Sequence, residues 1–293
     1  MSREAAARWK ALAAVVFWGA SFPSQKIAVA EISYYTLVWL RVGLGAATLL
    51  LYLVIRKRLR ILPARQTLAF LGLGFLGIYF HNSIQAYALQ TVPAGLSGLL
   101  IASSPIAIAV LGALILSERI GLGKISGILL AGAGVVVILT HGEVSMLFDR
   151  SYELGELIMV FSVVTWGLFS VLSRKALRET ETDIGMTYAL FSGFLFATLP
   201  FMLKAGASEL TLISMKGAVN MAFLGVVCSG VCYLLWYDAL QVLPASEVGV
   251  FLYVNPVVSV VIAALFLDEP VTLSMLLGGV MVFSGVWFVN RVS

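Results

Sequence analysis

Charged residues are scarce in this chain, 12% of 293, while 60% are hydrophobic and the mean hydropathy is +1.00. So little charge excludes a water-facing surface of ordinary polarity. There are only two cysteines, Cys228 and Cys232, one helical turn apart within an apolar run, which excludes a disulfide framework and a zinc site. No phosphate-binding loop, nucleotide motif or metal-ligand set occurs, so no cofactor and no metal is expected. Carboxylates are missing from the middle of every apolar run. Glu118, Asp238, Glu247, Asp268 and Glu269 all stand toward ends, which leaves no carboxylate proton relay in view. The net charge of +4 and pI near 9.1 do not mark a nucleic-acid partner, because the basic residues lie at the ends of apolar runs and form no aromatic-interleaved patch.

Long apolar runs are what the chain has instead. A helix needs about 20 apolar residues to cross the hydrocarbon. Cutting the runs at charges and turn residues gives ten segments, near 9–29, 33–55, 66–89, 93–116, 122–140, 155–174, 184–204, 217–240, 244–267 and 271–290. The expected fold is an all-α integral membrane protein of ten transmembrane helices with short connections. The first segment follows Arg3, Arg8 and Lys10 as a signal peptide would, but its Trp18-Gly19 recurs as Trp166-Gly167 and its Lys26 as Arg174, so it is read as retained.

The sequence also repeats itself. Shifted by 151 positions, Ala88-Leu89-Gln90 falls on Ala239-Leu240-Gln241, and the match runs through Pro105 on Pro256, Glu118 on Glu269, Gly127 on Gly278 and Gly134 on Gly285. This divides the chain into a first five-helix repeat at 1–140, a linker at 141–154 and a second repeat at 155–293. With the N-terminus in the cytoplasm, the basic residues fall almost entirely on that side, with only Arg150, Lys204 and Lys216 outside. Both termini are therefore expected to be cytoplasmic, and the linker extracytoplasmic. Because five is odd, the second repeat enters the membrane inverted. Inverted repeats support two nearly equivalent packings, each open to one side, with a site between them.

The early Trp18-Gly19-Ala20-Ser21-Phe22, the Ala-Leu-x-x-x-Pro-Ala turns and the doubled Pro105/Glu118 and Pro256/Glu269 pattern resemble the EamA-type exporters of the drug/metabolite transporter superfamily over nearly the whole chain. The resemblance implies a secondary transporter in a bacterial inner membrane that exports small metabolites by alternating access. Amino acids, aromatic ones included, are the leading substrates. The alternative is an exporter of multiple drugs or cationic aromatic compounds. Export as a direction rests on the resemblance alone. The partners are then a small-molecule substrate and the lipid bilayer.

Candidate binding residues come from helix breakers and from buried polar and aromatic side chains. Pro105 and Pro256 fall near the middle of their segments, where a proline kinks a helix and frees the carbonyls of Ile101 and Leu252 beside Ser103, Ser104 and Asn255. The other reading is a kink whose hydroxyls bond back to their own helix. His81 and Gln85 in the third segment and Tyr233, Trp236 and Tyr237 in the eighth have helical spacing that lines one groove. Trp18 and Trp166 add matched aromatic walls, on which an aromatic or cationic substrate would stack. Arg41 either snorkels to the surface or neutralises a substrate carboxylate. The fifth and tenth segments, rich in small residues, are expected to scaffold the bundle or to form a homodimer.

Gly95-Leu96-Ser97-Gly98 also matches the Gly-x-Ser-Gly pattern of rhomboid intramembrane serine proteases. A serine nucleophile needs a base in reach. With only His81 and His141 available, and Val248 where the repeat would place a second serine, that enzyme reading is a remote alternative.

Overall fold

The apolar runs are mostly helical where the computed structural model describes them, which is over residues 2–116, 122–140, 142–143, 154–243, 248 and 251–291. Glu118, His141 and most of the linker at 141–154 lie outside the described residues. Seven helical spans among the described residues, with Ala94–Ile115 taken as one across its central turn, are long and apolar enough to cross a membrane, and three shorter apolar helices accompany them. In chain order the helices are α1 (Arg3–Val29), α2 (Tyr34–Ile55), α3 (Ala64–Ala88), α4 (Ala94–Ile101), α5 (Ser104–Leu116), α6 (Leu122–Leu139), α7 (Leu154–Ala176), α8 (Thr182–Lys204), α9 (Met215–Ala239), α10 (Val254–Phe266) and α11 (Leu273–Arg291). Large apolar side chains such as Leu51, Ile55, Leu68, Leu199, Met202, Leu265 and Val280 face outward. An aqueous surface would not carry so many, and hydrocarbon requires them.

Several helices start at a side chain that satisfies backbone groups otherwise orphaned. The Ser33 hydroxyl accepts from Thr36 N at the start of α2, and the Ser214 hydroxyl from Gly217 N at the start of α9. At the start of α4 the Glu269 carboxylate accepts from Ala94 N at 2.8 Å and Gly95 N at 2.9 Å, a charge well placed against a helix N-terminus.

Three irregularities position the interior. The first two are π-helical stretches, Gly74–Phe80 in α3 and Phe223–Val231 in α9, where the glycine-containing backbone widens and carbonyls lose their regular partners. The third is a turn at Ala102–Ser103 that separates α4 from α5. Pro105 therefore stands in the first turn of α5, where its missing N–H costs nothing, and not in the middle of one kinked helix. Pro256 likewise lies in the first turn of α10, which follows a short 3-10 turn at Phe251–Tyr253.

Helix α1 packs against α9 and α10, and α7 against α3 and α5; α2 packs on α8 and α9, and α8 on α3. A side chain at Gly45 would meet Ser229 Cβ at 2.8 Å, and one at Gly193 would meet Ile78 Cγ2 at 2.5 Å, so only glycine allows α2 to approach α9, and α8 to approach α3, this closely. Helices α6 and α11 form a separate pair. There a Cβ at Gly134 would meet the Gly278 carbonyl at 2.6 Å, and one at Gly278 the Gly134 carbonyl at 2.6 Å. Gly134, Gly278 and Gly285 are thus used in packing within the chain, while Gly132 has open space beside it.

Candidate functional site

A cavity opens where the irregular backbones meet. Trp18, Ser21 and Phe22 of α1 line it with Arg41 of α2, and His81, Asn82 and Gln85 of α3 lie close by. Ile101, Ala102 and Ser104 at the α4–α5 break, Trp166 of α7, Tyr233 of α9, Leu252 and Asn255 complete the wall. The space open to water centres is about 60 Å³, room for about five waters at 10–15 Å³ each.

Rings form the wall's apolar part. The Trp18 ring centroid lies 5.8 Å from Trp166, 5.7 Å from Tyr233 and 5.5 Å from Trp236, and His81 lies 5.3 Å from Trp166. The first two contacts are edge-to-face, the arrangement the ring quadrupoles favour. The π-helix of α9 has a direct role here, because the Trp18 indole N–H donates to the Cys228 carbonyl at 3.0 Å inside it. In α3 the Asn82 amide closes the corresponding gap by donating to Ile78 O at 2.8 Å.

Seven of the ten substrate-binding candidates line this cavity: Trp18, His81, Gln85, Ser104, Trp166, Tyr233 and Asn255. Three do not. The Ser103 hydroxyl turns back to Leu100 O at 2.7 Å, Trp236 stands behind Trp18, and Tyr237 lies a turn beyond Tyr233 toward Ser173. The Ser104 hydroxyl donates to Ile101 O at 2.6 Å, so the carbonyl ahead of Pro105 is already occupied. His81 shares a hydrogen bond of 2.8 Å with Thr165 Oγ1, and the Ser97 hydroxyl donates to Pro93 O at 2.9 Å. The serine and the histidine of the protease reading thus each have another partner.

Ser21, Phe22, Asn82 and Arg41 also line the cavity. The first two follow Trp18 at three and four positions, a signal present in the helical spacing. Arg41 is the one basic residue within the second apolar run, but sequence left it between the surface and the interior. In the structure it is 5% exposed, its Nε donates to Ser229 Oγ at 3.0 Å, and its Nη1 is buried with no hydrogen-bond partner.

Both ends of the bundle are held by polar contacts. At one end Lys10 pairs with Asp238 at 2.9 Å, Arg58 with Glu181 and with Asp183, and Arg60 with Glu181, around a polar vestibule of roughly 690 Å³. At the other end of α1, Lys26 Nζ donates to Leu89 O at 2.7 Å and Val92 O at 3.0 Å. The Glu209 carboxylate accepts from Thr36 Oγ1 at 2.6 Å and from Ser33 Oγ at 2.8 Å, and Glu31 accepts from Ser214 Oγ at 2.7 Å. Desolvation raises the Glu209 pKa, but the bonds from Thr36 and Ser33 outweigh it and leave the carboxyl below its ordinary value. Glu31 is lowered chiefly by its bonds to Ser214.

The chain is similar over its full length to proteins named as transporters. It is 24% identical over 273 residues to an uncharacterized transporter of Archaeoglobus fulgidus, covering 93% of each chain. It is 28% identical over 291 residues to a probable terminal-alkyne amino-acid exporter of Streptantibioticus cattleyicolor, covering 97% of this chain and 93% of the relative. A crystal structure at 18% identity superposes over 100% of both chains with a TM-score of 0.73, which shows a shared fold. Residues 7–140 and 153–291 each match the sequence profile of one family, so this helical, membrane-suited chain with an aromatic cavity at its centre belongs to the EamA-like transporter family.

Proposed function

We propose that the protein is a secondary transporter that exports small amphipathic metabolites, amino acids with aromatic members among them, across a bacterial inner membrane by alternating access. The observation that carries this reading is the cavity itself, a small space walled by Trp18, Trp166 and Tyr233 and edged by amides, hydroxyls and one guanidinium. Apolar faces with a few convergent polar groups suit an amphipathic solute of amino-acid size.

The reading includes ten crossing helices in two inverted repeats, 1–140 and 155–293. The helix pairings support it, because exchanging α1 with α7, α2 with α8, α3 with α9, α4 and α5 with α10, and α6 with α11 turns the main packing pairs into one another. The two π-helices, and the matched approaches of Gly45 to Ser229 and Gly193 to Ile78, follow the same exchange. A pseudo-twofold of this kind gives one closed form two ways to open. The clustering of Arg3, Lys10, Arg58, Arg60 and Arg178 around the vestibules at one end supports placing that end, with both termini, in the cytoplasm.

The test is uptake of labelled phenylalanine, tryptophan and threonine by proteoliposomes, with and without a pH gradient. Saturable aromatic flux, reduced in Trp166→Ala, is expected. A folded preparation that carries no amino acid would overturn the substrate reading.

A further inference from the structure

We propose that Arg41 is the residue that binds the substrate's carboxylate, that Ser229 positions it, and that the Asn255 amide takes the substrate's ammonium. The proposal rests on the transport reading above and names the chemistry by which the cavity selects.

Among the described residues that line the cavity there is no carboxylate, so the Arg41 guanidinium has no anion beside it. A buried cation in a membrane interior is costly unless paired, and such residues mark substrate pathways. Arg41 uses its Nε on Ser229 and leaves Nη1 buried and unbonded, a donor held ready for an acceptor that the protein does not supply. A guanidinium fork matches a carboxylate in shape as well as charge. The N-terminus of the half-helix α5 also reaches this cavity through Ser104, and its dipole favours an anion. Across the wall, Asn255 holds an Oδ1 that is buried without a partner, an acceptor with nothing to accept. One unmet cationic donor and one unmet neutral acceptor, with aromatic faces in the same wall, describe the complement of a zwitterion with an apolar side chain.

The same charge argues against organic cations. A substrate bearing only positive charge would face Arg41 across a small space of low dielectric. The arrangement is also one-sided. By the helix exchange the counterpart of Arg41 in α8 is Ala189, so the second half brings no matching charge. Ser229 lies in the π-helical stretch of α9, and Gly45 lets α2 approach it closely enough for the Arg41 bond to form.

Counterflow in proteoliposomes with three probes tests this: phenylalanine, phenylalaninamide, which lacks the carboxylate, and 3-phenylpropionate, which lacks the ammonium. Wild-type protein should carry phenylalanine and reject phenylalaninamide. Arg41→Gln should lower phenylalanine transport about a hundredfold and admit phenylalaninamide, a gain that also proves the variant folded. Should Arg41→Gln fail to fold, Arg41→Lys, which keeps the charge and loses the fork, should raise KM for phenylalanine while still rejecting the amide. Ser229→Ala should raise KM with the maximal rate retained and should weaken the preference for acid over amide. Asn255→Ala should erase the preference for phenylalanine over 3-phenylpropionate. Equal wild-type transport of phenylalanine and phenylalaninamide, or an Arg41→Gln protein that carries phenylalanine as wild type does, overturns the role of Arg41 and leaves the amino-acid reading standing. Wild-type transport of 3-phenylpropionate alone keeps Arg41 and overturns the amino-acid reading, whereas transport of phenylalaninamide alone overturns both.

Discussion

At the residue scale, Trp18 joins packing to hydrogen bonding. Its ring touches three others and its indole donates to a carbonyl within the π-helix of α9. Trp18→Phe keeps the apolar wall but removes the hydrogen bond to Cys228 O, and should lower stability by about 1–2 kcal/mol. Trp18→Ala also opens a void and should cost about 3 kcal/mol or more. The order of thermal-unfolding midpoints in detergent checks both. Glu209 makes a second residue-scale prediction. Its folded pKa is depressed, so the stability it contributes is fully present above the unfolded carboxylate value of about 4.3 and is lost as pH falls through the lower folded value. The unfolding midpoint should therefore drop on acidification, and the drop should be smaller in Glu209→Gln, which has no charge to lose. Equal acid sensitivity in the two proteins would remove Glu209 as a cause.

At the scale of elements, the close approaches set by glycine are the point of weakness. Gly193→Ala places a Cβ 2.5 Å from Ile78 Cγ2, so α8 must move off α3 or Ile78 must leave its rotamer. Overpacking of this kind costs about 1–3 kcal/mol. The expected result is a lower unfolding midpoint and weaker transport, since α3 carries His81 and Gln85 to the cavity. Loss of transport at an unchanged midpoint would show instead that the contact governs motion and not stability.

For the molecule as a whole, α1 is pinned at both ends, by Lys10 to Asp238 of α9 and by Lys26 to the carbonyls of the α3–α4 connection. In the proposed alternating-access cycle the cavity opens at one end and then at the other. In a protein with Cys228 and Cys232 replaced by alanine, thiol cross-linking of a Lys10→Cys/Asp238→Cys pair, or of a Lys26→Cys/Gln90→Cys pair, should each abolish transport, and reductant should restore it. Undiminished transport through either cross-linked form would overturn rocking about α1.

Length and polarity of the apolar runs, the doubled pattern of prolines and glycines, and the matched tryptophans were readable without coordinates. Hydrocarbon imposes helices of a set length, and a duplicated gene keeps its spacing. The sequence determined which side chains are too polar or too large to waste on lipid, and most of those gathered at the cavity. Tertiary structure alone decided their directions. Ser103 and Ser104 both donate to carbonyls of the preceding turn, yet only Ser104 lines the cavity. Trp236 and Tyr237 stand on the turn of α9 that follows Tyr233, and of the three only Tyr233 lines the cavity. Arg41 is the clearest case. A long side chain in an apolar run reaches either the surface or the core, and only the approach of α2 to α9 at Gly45, with Ser229 waiting there, turns it inward.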